Sequence, residues 1–71
     1  MSKFDGIVWR SATGEVIACD EKIKVMRENL EELQQAAQDA LEDALLMGCD
    51  ERQVKDVLHR LVDELTNPYN D

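Results

Sequence analysis

Residues 20–47 read DEKIKVMRENLEELQQAAQDALEDALLM, and the reading of this stretch decides the fold. Ile23, Met26, Leu30, Leu33, Ala37, Ala40, Ala44 and Met47 recur at alternating steps of three and four. That spacing keeps one stripe of a helix apolar over its whole length, as in a coiled coil or a long bundle helix. Asp20 is the expected N-cap, and Asp20 with Glu21 suits the positive end of the helix dipole. Gly48 follows the last apolar residue, where a left-handed C-cap belongs. At 1.5 Å per residue the helix is roughly 42 Å long.

Downstream, Asp50 with Gln53 three residues later is a variant of the capping box. Val54, Val57, Leu58, Leu61, Val62 and Leu65 then make the wide apolar stripe of a helix buried on one side. This second helix is expected over 50–66, stopped by Asn67-Pro68, because a residue before proline resists the α region. Only Gly48 and Cys49 separate the helices, so they are expected to form an antiparallel hairpin. The second helix spans roughly 22 Å, about half the first. It can cover Met47, Ala44, Leu41, Ala40 and Ala37, reaching about Leu33. Ile23, Met26 and Leu30 lie beyond it and need another cover.

Upstream, Ile7-Val8-Trp9-Arg10 and Glu15-Val16-Ile17-Ala18 are β-prone runs on either side of Ser11-Ala12-Thr13-Gly14. A short loop ending in glycine suits a β-hairpin. Two strands alone are marginal in water, so the hairpin is expected to lie on the first helix or to pair with another chain. The expected fold class is therefore mainly α, at the margin of α+β. It is one domain over 1–71: a β-hairpin in about 4–19, helices in 20–47 and 50–66, and a tail in 67–71.

Composition says what such a hairpin lacks. The chain has 71 residues, 44% of them apolar but only 4% aromatic, so Leu, Val, Ile, Met and Ala must supply the core. At this size the apolar area buried on folding roughly balances the chain entropy. A second copy is the expected remedy: a homodimer packed antiparallel as a four-helix bundle with two-fold symmetry.

The net charge of -8 bears on partners. Binding nucleic acid means neutralising phosphates with Lys and Arg. Here the basic residues are scattered, and the closest group, Lys22, Lys24 and Arg27, has Asp20, Glu21 and Glu28 beside it. DNA, RNA and anionic membrane surfaces are therefore disfavoured, and a protein with a basic surface is the favoured partner. Residues 1–6 lack the apolar core of a signal peptide. No apolar run approaches the roughly 20 residues that span a bilayer. A soluble, cytoplasmic protein is expected.

Few residues point to chemistry. Cys19 precedes the long helix and Cys49 follows it, too far apart for an intramolecular disulfide, which needs Cα atoms within about 7 Å. In an antiparallel dimer Cys19 of one chain approaches Cys49 of the other. Cys49 precedes a helix N-terminus, which favours thiolates, but Asp50 and Glu51 oppose that. Asp56 and His59 have the spacing of the carboxylate-x-x-His motif of di-iron bundles, yet both project onto the solvent face. Glu28/Glu32 and Asp39/Asp43 read as a solvated acidic face. Gly6, Gly14 and Gly48 are too dispersed for a phosphate loop, and Ser2 and Ser11 have no local catalytic partners. No catalytic residue, metal or cofactor is expected.

The reading that remains is a non-enzymatic interaction protein, an adaptor or regulatory module acting as a homodimer. Its candidate surface is Trp9, Ile23, Met26 and Leu30 with the acidic residues Glu28, Glu31 and Glu32. Trp9 is the candidate anchor, since Trp is enriched at binding hot spots; Tyr69 in the tail is a weaker one. Two alternatives are a redox- or metal-responsive protein using Cys19, Cys49 and His59, and an acidic mimic occupying the nucleic-acid-binding surface of a basic partner.

Overall fold

The computed structural model describes residues 2–69 and is mainly α: a long helix and a shorter one packed as a hairpin. Helix α1 runs Asp20–Leu46 and α2 runs Glu51–Asp63. Contacts group into two compact units, Met1–Ala36 and Ala37–Asp71, each with its own local logic.

The first unit shows where the β expectation fails. Ile17 N–H donates to the Trp9 carbonyl (2.9 Å) and Ser11 N–H to the Glu15 carbonyl (2.8 Å). One antiparallel bridge, Arg10 to Val16, results, and no strand forms among the described residues. The turn itself is well made. Gly14 takes φ +91°, and its N–H donates to the Ser11 carbonyl (2.9 Å). The Ser11 hydroxyl accepts from Glu15 N–H, and Arg10 donates to the Gly14 carbonyl. A two-stranded ladder with neither a third strand nor a full apolar face gains too little to extend, so the expected β-hairpin reduces to this bridged turn.

Ahead of it, Ser2 and Asp5 close a tight turn: Ser2 N–H donates to the Asp5 carboxylate, and Asp5 N–H donates to the Ser2 carbonyl, both at 3.1 Å. Arg27 of α1 pairs with Asp5 at 3.6 Å and ties this turn to the helix. The Cys19 carbonyl accepts the first helical bond, from Ile23 N–H (3.0 Å), which makes Cys19 the N-cap position rather than Asp20. Asp20 and Glu21 occupy the first turn, where the dipole favours acids.

The second unit carries the hairpin. Gly48 takes φ +92°. Cys49 N–H reaches back to the Ala44 carbonyl (2.9 Å) and Gly48 N–H to the Leu45 carbonyl (3.0 Å). That is a Schellman closure, which satisfies the carbonyls a helix end leaves open. Asp50 then caps α2, its carboxylate accepting from Gln53 N–H at 2.9 Å. Lys55 and Glu51 pair one turn apart at 2.9 Å.

Helix α2 ends at Asp63, earlier than expected. Glu64 N–H turns back to the Arg60 carbonyl and Leu65 N–H to the Val62 carbonyl, so Leu65, expected in the apolar stripe, falls outside the helix. Asn67 sits before Pro68 and its side chain accepts from Tyr69 N–H (2.8 Å), a local turn that competes with helix. Tyr69 is 92% exposed. Of the expected tail, residues 70 and 71 lie outside the described residues.

Neither unit has an interior. Among the described residues none is buried, whether apolar or polar. Two helices make a single layer, and a layer always leaves one side of its apolar stripe open.

Candidate interaction surface

The first unit brings three of the expected surface residues together. Trp9, Ile23 and Met26 line one groove with Ile17, Val25 and the stem of Lys22, enclosing ≈ 330 Å³. Its lining is apolar, with Lys22 contributing methylenes and keeping its ammonium in water. The bridged turn sets this up, since the Ile17–Trp9 hydrogen bond holds both side-chain-bearing segments beside the first turns of α1. Trp9, Ile17 and Ile23 are half-buried. The fourth expected apolar residue, Leu30, is half-buried but does not line the groove.

Glu28, Glu31 and Glu32 are exposed, away from the groove lining. They fall on the outer positions of the heptad, as does Val25 of the groove, but none of the three lines it. Val25 joins the groove although it is not among the expected surface residues. Its signal was present, an apolar residue outside the heptad seam next to Lys24 and Met26, and it is 53% exposed.

The covering of the heptad stripe is uneven in an orderly way. In the first unit Ile23 and Leu30 are half-buried, whereas Met26 and Leu33 are exposed. In the second unit Ala37 and Ala44 are half-buried, whereas Ala40 and Met47 are exposed. Every a position has been turned toward its own chain and every d position left open. In α2, Val54 and Leu58 are half-buried, while Val57, Leu61 and Val62 remain exposed. Of the second-unit residues within the expected span of the second helix, Ala37, Leu41 and Ala44 are half-buried, and Ala40 and Met47 are exposed.

Cys19 and Cys49 are free thiols, both exposed. The 27 residues of α1 stand between them. His59 is exposed on α2. Among the described residues no three His, Cys, Asp or Glu side chains converge on a point where a metal ion would sit. No helix among them is long and apolar enough to cross a membrane. Comparison with protein-family models, with characterised proteins and with solved structures finds no match to this chain.

Proposed function

We propose that this chain is a non-enzymatic interaction module that works as a homodimer and presents its acidic helix face to a partner protein with a basic surface. One observation carries the reading: the chain exposes more area than a finished monomer. Its accessible surface is 6430 Å², whereas a folded monomer of 8.1 kDa exposes roughly 4,500 Å². The excess, roughly 1,900 Å² per chain, falls in the range that an obligate dimer buries on each partner. Much of it is apolar, from Leu46 and Met47 at 87% and 77% exposed to Leu61, Val62 and Leu33 at half.

The acids support the second half of the proposal. Glu28, Glu31, Glu32, Asp39 and Glu42 sit at the b, c and f positions of α1, opposite the apolar seam. A dimer closed through the seam keeps these faces outward and doubles the charge of -8. Such a surface accelerates encounter with a cationic protein and repels nucleic acid and anionic lipid. A soluble, cytoplasmic setting is part of this proposal, and an outward acidic face suits solubility.

The test is the concentration dependence of unfolding. A dimer melts at a temperature that rises with protein concentration, because mass action favours the associated state. A midpoint that stays fixed over about a hundredfold range in concentration overturns the reading.

A further inference from the structure

The open row of α1 has a direction. Reading the seam from Ile23, the d positions are Met26, Leu33, Ala40 and Met47, and all are exposed. Beside them run the g positions Lys22, Asn29, Ala36 and Asp43, also exposed. This d/g strip is large and basic at its start, with Met26 and Lys22. It is small and acidic beyond Leu33, with Ala36, Ala40 and Asp43, before Met47 closes it. A strip that changes size and sign along its length complements a reversed copy of itself.

We propose that the partner on this strip is a second copy of the chain, its α1 antiparallel and crossing at Leu33. The proposal rests on the homodimer reading above and specifies its geometry. With Leu33 facing the partner's Leu33 at the two-fold axis, residues pair so that their numbers have a constant sum. Met26 then faces the partner's Ala40, and Lys22 flanks the partner's Asp43. The two layers that flank the axis each set a long side chain, Met26, against a short one, Ala40, an arrangement that fills space without voids. Ala36 lets the two backbones approach closely between the layers.

The parallel alternative fails on the same residues. In a parallel pair the g position of one helix meets the following e position of the other. Lys22 would then lie beside the partner's Arg27, a like-charge contact. Met26 would crowd Met26, and Ala40 would face Ala40 across a gap. The antiparallel register also explains the groove. It lays the partner's segment from Ala40 to Met47 along the stretch that carries Trp9, Ile17, Ile23 and Met26, so the exposed Met47 approaches the end of α1 marked by Cys19.

Chemical crosslinking tests both register and direction. Cys19 and Cys49 are replaced by Ser, single cysteines are introduced at exposed d positions, and far-ultraviolet circular dichroism checks that each variant keeps its helix. A short bis-maleimide is the probe, and light scattering gives the mass before it is added. L33C is expected to link to itself. M26C alone is expected not to link, whereas M26C chains mixed with A40C chains do. Dimers in which M26C links to itself, or in which L33C does not link at all, overturn this geometry while leaving the homodimer standing. A monomeric mass overturns the homodimer and this proposal with it.

Discussion

The guanidinium of Arg27 lies 3.6 Å from the carboxylate of Asp5, joining the first turn of the chain to the second turn of α1. Both side chains are about two-fifths exposed, so water and salt screen the pair. Exposed ion pairs contribute about 0.2–1 kcal/mol. Asp5→Asn is expected to lower the urea midpoint slightly at low salt, and the difference from wild type is expected to vanish near 1 M NaCl, where screening acts over about 3 Å.

Gly48 is the residue on which the hairpin turns. Its φ of +92° favours glycine, although a Cβ there meets nothing within 4 Å. The cost of substitution is therefore backbone strain, not a clash. Gly48→Ala is expected to destabilise by about 1 kcal/mol, and Gly48→Asn by less, since asparagine tolerates the left-handed region. Denaturant melts at one fixed protein concentration compare the two.

Asp50 holds the start of α2 through one bond, from Gln53 N–H. Removing an N-cap side chain costs about 1 kcal/mol. Asp50→Ala is expected to show that loss and Asp50→Ser to recover most of it. Equal destabilisation by Ala and Ser would mean that the carboxylate charge, and not the capping bond, is what stabilises the helix end.

Lys22 and Asp43 sit at opposite ends of the exposed g row of α1. In the antiparallel dimer each meets the other across the interface. Reversing one of them, by Lys22→Asp or by Asp43→Lys, is expected to weaken dimerisation up to about tenfold at low salt. The double swap, which restores opposite signs, is expected to recover it. Sedimentation equilibrium on the four proteins reads this directly. A double swap as weak as the singles would remove the charge argument for the antiparallel register.

The helices were legible in the sequence because their signals are local. The alternating three-and-four spacing gave α1 to within a residue, and Asp50-Glu51-Arg52-Gln53 marked the start of α2. The β-prone runs around Gly14 were equally visible, but propensity cannot say whether a ladder has enough neighbours to grow, and here it stops at Arg10 and Val16. Nor does the heptad pattern distinguish Ile23 and Leu30 from Met26 and Leu33. Both rows are apolar, and which one is turned inward depends on how the N-terminal segment and α2 settle on α1. Asp5 with Arg27 is unreadable for the same reason, being a contact between residues far apart in the chain. Of the expected surface, Trp9, Ile23 and Met26 converge on one groove, while Leu30, Glu28, Glu31 and Glu32 do not line it.

The absolute mass of the unmodified chain in solution bears most directly on this account. Light scattering at low micromolar concentration, on protein shown to be helical by circular dichroism, is expected to give twice the chain mass of 8.1 kDa. Leu33→Lys, which puts a charge at the proposed two-fold axis, is expected to return it to a single chain. A folded wild-type protein of 8.1 kDa would contradict the account, because its exposed apolar row would then have no second copy to cover it.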